Sequence, residues 1–385
     1  MRFAKLTGTV LSAVVMAALA ACSGTPGTAG VASGTAARQL NIAVDLSDLT
    51  TLDPERALAD AMQLILPMEG DTLLDVNPKD PTQLRPSLAT SWSCNSAATA
   101  CTITLRHGVK FSTGRTLTSA DVVYTFERMV NVQGGPAFLL DTLKSARALG
   151  PGKVEFQLKQ PDSAFLSKLA AAGLIILDSN ALAAHGGNDG PHAKTMDKAN
   201  SYFSSVSIGT GPYKLKQWVR TQKLVFVPNP DYWGAKPAFA QITLLDVPKA
   251  STQAQLIRGG EADLALNIDP VTAKTLQGTP DVSVQTVPSL NLIMLCLDNA
   301  APGLGNVKVR RAIAETINYD SIVKGLGGGA QRPPATVPVG LQGASAATPA
   351  GTKMAAAKAL VRQDGVAHLK IRATFANKVQ ASIPL

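Results

Sequence analysis

Leu105-Arg106-His107-Gly108-Val109-Lys110-Phe111-Ser112-Thr113-Gly114 is followed closely by Leu117-Thr118-Ser119-Ala120-Asp121-Val122-Val123-Tyr124-Thr125-Phe126. Val109 to Phe111 leads to a turn at Thr113-Gly114. Thr118-Ser119-Ala120-Asp121 then reads as a helix start. Thr118 caps the free backbone N–H groups, and Asp121 reaches back in a variant of the capping box. Val122, Val123, Phe126, Met129 and Val130 mark one face of the helix that follows.

Just upstream, Thr102-Ile103-Thr104-Leu105 alternates as a strand does. Cys94 and Cys101 flank the polar stretch Asn95 to Ala100. Two strands joined by this loop place the cysteines opposite one another, and outside the cytoplasm a disulfide between them persists. Closing so small a loop contributes about 2–3 kcal/mol in the chain-entropy model. Cys296, in the apolar run Leu290 to Leu297, reads as a buried free thiol.

Farther out, strand-like and helical stretches alternate, which implies an α/β chain. Residues 40–44, Val154 to Leu158, Tyr213 to Trp218, Lys223 to Val227, Gln241 to Val247, Asp263 to Leu266 and Leu369 to Thr374 read as strands. Ala164 to Ala172, Thr252 to Ile257, a face through Val309, Ala312, Ile313 and Thr316, a short helix capped by Asn318, and Met354 to Val361 read as helices. Val76 to Pro86 and Gly186 to Ser204 read as polar connections. Gly209-Thr210-Gly211-Pro212 is a sharp breaker cluster.

The N-terminus sets the compartment. Arg2 and Lys5 precede an uncharged run from Leu6 to Ala20 that ends in Leu19-Ala20-Ala21-Cys22. This run has the length of a signal-peptide core and falls short of a permanent span of about 20 apolar residues. Its end resembles the bacterial lipobox, in which Cys22 accepts a diacylglycerol. The alternative is an ordinary secretory signal. The Ser-, Gly-, Thr-, Ala- and Pro-rich stretch that follows reads as a flexible tether.

The net charge is +9, and +7 once residues 1–21 are removed. Lys and Arg are scattered without a block of like charge, so they read as a solvated surface and no nucleic-acid partner is expected. The four histidines, His107, His185, His192 and His368, have no metal-ligand spacing. There is no Gly-x-Ser-x-Gly elbow and no His-Glu-x-x-His. Gly325 to Gly329 lacks the Lys-Ser/Thr of a phosphate loop. The expectation is a protein without catalytic groups, metal or cofactor.

The ordered motifs resemble the family 5 extracellular solute-binding proteins, receptors for peptides and nickel complexes. They are Leu52-Asp53-Pro54, Glu69 to Leu74, Arg85 to Trp92, Leu105 to Gly114, Leu117 to Phe126, Gly209 to Tyr213, Asn229 to Gly234, Gly260 to Leu264 and Val307 to Ile313. The resemblance implies a two-lobed periplasmic-binding-protein-like α/β fold with an inserted subdomain. With the signal peptide at 1–21 and the tether at 22–37 read from the N-terminus, it implies a first lobe from 38–68 and 175–292, a subdomain at 69–174 and a partial second lobe at 293–385. It implies more chain beyond Leu385, including an aspartate that pairs with a peptide's α-amine.

By position, the resemblance implies ligand contacts at Leu58, Ala59, Asp60, Phe138, Leu292 and Met294, although core packing explains all but Asp60 equally well. The implied partners are a short peptide or related small solute, importer permease subunits, and the membrane through a lipid on Cys22; the implied state is a monomer. The rival readings are an exported fragment that does not bind and a tethered extracellular hydrolase.

Overall fold

The computed structural model describes residues 38–287 and, with gaps, 292–363. The lipobox, the tether and the expected strand at 369–374 lie outside the described residues. The chain divides into a unit up to Ile268 and a unit from Asp269.

In the first unit the elements follow the order β1 (Gln39–Val44), α1 (Met62–Glu69), β2 (Leu74–Asn77), β3 (Asp80–Pro86), β4 (Ala89–Cys94), β5 (Ala100–Leu105) and α2 (Ser119–Val132). Then come β6 (Leu143–Ala148), β7 (Lys153–Leu158), α3 (Phe165–Lys168), α4 (Ser179–Ala184), α5 (Ala193–Met196), β8 (Tyr213–Val219), β9 (Lys223–Pro228), β10 (Gln241–Asp246), α6 (Ala250–Gly259) and β11 (Leu264–Ala265).

Two sheets organise this unit, each over its own core. The first has the order β11-β1-β10-β9-β8. β1 runs parallel to both β10 and β11, while β9 is antiparallel to its neighbours. Ile42, Leu224, Phe226 and Leu244 of this sheet pack with Ile65 of α1 in one buried cluster. The second sheet, β4-β5-β7-β6, is fully antiparallel. Buried residues alternate with half-buried or exposed ones along β5 and β7, as a sheet with one covered face requires. Ile103, Val154 and Phe156 meet Val122, Phe126 and Met129 of α2. The Phe126 and Phe156 rings stand 4.7 Å apart, and Phe165 meets Phe156 edge-on at 5.4 Å.

The helix start at Thr118 has the expected form. The Asp121 carboxylate accepts from the Thr118 backbone N–H at 2.8 Å, and the reciprocal half of the box is present. Cys94 faces Cys101 across the β4–β5 register, and the two are joined as a disulfide.

Four expectations differ. Val76 to Pro86 lies within the β2–β3 hairpin, where Asp75 pairs with Arg85 across the strands. The helix expected over Ala164 to Ala172 has its α-helical part confined to the four residues of α3. The segment 186–204 contains α5 and a 3-10 turn. Cys296 is exposed: it sits in a stretch whose described residues, Leu292 and Met294 to Asp298, form no helix or strand that would bury it.

The second unit contributes α7 (Pro270–Leu276), α8 (Val307–Thr316), α9 (Tyr319–Gly325) and α10 (Met354–Gln363). Asp269, Asn306 and Asn318 cap the first three of these through their side chains.

Candidate functional site

The segment Asp53 to Asp60 connects the end of the first strand's loop to α1 and is folded on itself before it reaches the surface. Asp53 takes its backbone N–H to Thr51 Oγ1 at 3.0 Å, and its carbonyl accepts from the N–H groups of Arg56 and Ala57. Asp53, Pro54, Glu55 and Ala57 are buried. Leu58 is then turned outward, 67% exposed, with Ala59 half-buried and Asp60 exposed.

Arg128 of α2 holds the buried side of this segment and uses all five of its N–H donors. Nη1 and Nη2 grip the Asp53 carboxylate at 3.0 and 2.7 Å. Nε and Nη2 grip Asp197 at 2.7 and 2.9 Å. The remaining Nη1 donor reaches Glu55 Oε2 at 2.9 Å. Two forked pairs on one guanidinium set position and angle together. Arg128, Asp53 and Asp197 have fully buried side chains, and Arg56 adds a second cation at 3.0 Å from Asp197.

The electrostatics follow from this geometry. Burial is the main force on Glu55 and raises its carboxyl to about 8; the neighbouring charges of Asp53 and Asp197 push the same way, and Arg128 pulls against them. Burial also works against the charge of Asp197, but the hydrogen bond and charge of Arg128 overcome it and hold that group at about 2.

Glycine makes the next contact possible. A Cβ on Gly134 would run into the Glu55 carbonyl, and one on Gly135 would come within 2.7 Å of the Leu58 Cβ. The 3-10 turn Gly135–Leu140 therefore lies directly against residues 55–58, and the Gly135 N–H donates to the Arg56 carbonyl at 3.4 Å. Phe138 leaves that turn 63% exposed. Leu58 and Phe138 are thus two large apolar side chains left open on adjoining segments, with Asp60 following Leu58 by two residues.

Leu292 and Met294 belong to the second unit, where Leu292 is half-buried and Met294 is 62% exposed. A cavity of about 110 Å³ lined by Trp218, Arg220, Lys223 and Asp246 lies elsewhere in the first unit and includes none of the six candidates. Among the described residues no group of three or more His, Cys, Asp or Glu is arranged to hold a metal.

A profile of the bacterial extracellular solute-binding proteins of family 5 matches residues 83–381. The chain belongs to this family. The probable D,D-dipeptide-binding periplasmic protein of Escherichia coli is 31% identical over 268 residues, which are 69% of this chain and 50% of that protein. The dipeptide-binding protein of the same organism is 26% identical over 65% of this chain and 48% of its own length. The chain therefore spans about half the length of these curated relatives. Among solved structures, the Helicobacter pylori periplasmic binding protein in complex with the peptide STSA superposes with a TM-score of 0.71, at 25% identity, over 85% of this chain and 66% of that one. The A. tumefaciens binding protein in complex with mannopinic acid gives 0.73 at 23% identity, over 86% of this chain and 66% of that one. The fold of this family is the two-lobed α/β fold of periplasmic binding proteins.

The Arg128 cluster is the part of the site that sequence reasoning missed. Its signal was present: Asp121, Thr125 and Arg128 form a buried polar stripe at helical spacing beside the apolar one.

Proposed function

We propose that this family member is a lipid-anchored receptor that binds short peptides, or a related small solute, and delivers them to an ATP-binding-cassette importer. Family membership is the observation that carries the reading, because the relatives are named for the dipeptides they bind. The open pair Leu58 and Phe138 beside Asp60 supports it locally: apolar surface takes side chains, and a carboxylate takes a cationic group. The reading also assigns ligand contacts to Leu292 and Met294, which belong to the second unit. Its domain bounds are a first lobe from 38–68 and 175–292, a subdomain at 69–174 and a second lobe from 293. Exposed apolar surface next to a carboxylate is the composition of a binding surface.

Titration calorimetry with trialanine, triphenylalanine and trilysine tests the ligand class. Phe138→Ala is expected to weaken peptide binding at least about tenfold, or 1.4 kcal/mol, with unfolding unchanged. Failure of all three peptides to bind the intact chain would remove the peptide reading.

The anchor is tested separately. Cys22→Ala is expected to release the protein from the membrane or to stall its precursor. Normal maturation with full membrane retention would refute the lipid.

A further inference from the structure

Arg128, Arg56, Asp53, Asp197 and Glu55 form a charge balance that closes only with one proton added. The two aspartates match the two guanidinium groups, and both take bidentate or direct contacts from them. Glu55 is the third acid on a guanidinium whose donors are then exhausted, and it is 1% exposed. Its Oε2 accepts the last Arg128 donor. Its Oε1 is buried and has no hydrogen-bond partner among the described residues. An ionised carboxylate there would be a buried charge without a matching cation, which costs far more than a neutral carboxyl with one idle oxygen.

The other groups facing this acid do not change the count. Tyr124, from the same helix as Arg128, is held neutral: burial pushes its hydroxyl up to about 12, and Asp189 and Asp197 add to that. Its hydroxyl is likewise buried and without a partner among the described residues. Gly134 and Gly135, which press on the backbone of Glu55 and Leu58, bring no charge.

We propose that Glu55 is a proton-operated positioning residue for the Asp53–Asp60 segment. With a proton on Oε1 it holds the segment on Arg128. When that proton passes to solvent water or hydroxide, three acids face two guanidinium groups and the segment is released. The link to ligand rests on the reading of Leu58 to Asp60 as ligand contacts.

The sign of the pH effect follows from the raised acid. The docked segment keeps its proton up to about 8, and the ordinary carboxyl value is 4.5. Docking is therefore fully supported below about 4.5 and weakens as pH rises to about 8, where the effect levels off. Asp197 titrates far below this window, at about 2.

Amide hydrogen exchange on the full chain at pH 5.5 and 7.5 reads this directly. The informative amides are Arg56, Ala57, Met62 and Gln63, which donate to carbonyls of Asp53, Ala59 and Asp60. After correction for intrinsic rates, their protection in the wild type is expected to fall at least about tenfold between these pH values, relative to amides of β5 and β7. Glu55→Gln, which cannot ionise, is expected to keep that protection across the range. Glu55→Met serves the same purpose should the glutamine variant fold poorly. Superimposable pH profiles for wild type and variant would overturn the proposal, as would wild-type loop amides that simply track the β5 amides.

Trialanine binding, measured at the same two pH values, separates this from the ligand reading. Tighter binding by Glu55→Gln than by wild type at pH 7.5, and equal binding at pH 5.5, supports both. A loop that loosens with pH while the two proteins bind alike supports the proton-operated docking and removes Leu58 to Asp60 from the ligand surface.

Discussion

Arg115 and Arg128 each gather buried carboxylates, under different conditions. Arg115 is 28% exposed at its side chain and pairs with Asp121 and Asp178. Those two acids sit at helix starts. Asp121 accepts from the Thr118 N–H at 2.8 Å and from the Ser179 N–H at 3.1 Å. Asp178 accepts from the Asn180 and Ala181 N–H groups at 3.0 and 3.2 Å. Backbone donors and the positive ends of helices supply what the single arginine does not. Arg128 is wholly buried; backbone N–H groups reach Asp53 from Glu55 at 3.1 Å and Asp197 from Asn188 at 2.9 Å and Ala199 at 3.3 Å, while among the described residues Glu55 Oε1 has no donor. There the surplus negative charge is removed by a proton. An excess of acids over arginines is therefore a static brace in one place and a titratable one in the other.

The largest expected effect breaks the second cluster. Arg128→Met leaves Asp53 and Asp197 buried with only the partly exposed Arg56 as counterion, and Glu55 with no donor at all. Removing one member of a buried ionic network costs about 3–5 kcal/mol. Urea unfolding at pH 7 should show a loss of that size. A loss below about 1 kcal/mol would mean that Arg128 behaves like a surface ion pair, and the contrast with Arg115 would collapse.

The two clusters also differ in how well they could be read from sequence. Asp121 is six residues from Arg115 and three from Thr118, so its capping role follows from local spacing alone. The whole stretch from Leu105 to Phe126 is of this kind: its turn, cap and apolar face are all set by near neighbours. The Cys94–Cys101 pairing was legible for the same reason, since one short hairpin brings the two together. The partners of Arg128 lie 69 to 75 residues away in the chain, and no local rule joins them. An arginine in a helix ordinarily reads as solvent-facing, and only its spacing from Asp121 and Thr125 hinted otherwise.

The misread elements share another cause. The β2–β3 hairpin holds Pro81 and Pro86 with charged residues between and around them, so its composition argues for a connection. Its pairing depends on cross-strand contacts such as Arg85 to Asp75, which become visible only once the register is known. Cys296 sits among leucines that a run of hydropathy marks as core, yet Met294 and Leu295 beside it are exposed too. Hydropathy states what a segment could bury, and the neighbours that would cover it are a separate matter.

The smaller expected effect sharpens the comparison through Arg115. In Arg115→Met the two acids keep their backbone donors, so neither becomes an uncompensated buried charge. The loss is then that of charge-assisted hydrogen bonds at a part-exposed site, about 1–2 kcal/mol. Because solvent reaches this arginine, its charge is also open to counterions. The Debye length falls from about 30 Å at 0.01 M salt to about 3 Å at 1 M. Unfolding of wild type and Arg115→Met at both salt concentrations should therefore show the cost of the substitution shrinking by a few tenths of a kcal/mol as salt rises. The cost of Arg128→Met should stay level across the same range, because no counterion reaches a side chain with no exposed surface. Equal salt dependence for the two variants would show that burial is not what distinguishes the clusters. The proton on Glu55 would then need another explanation than the absence of solvent.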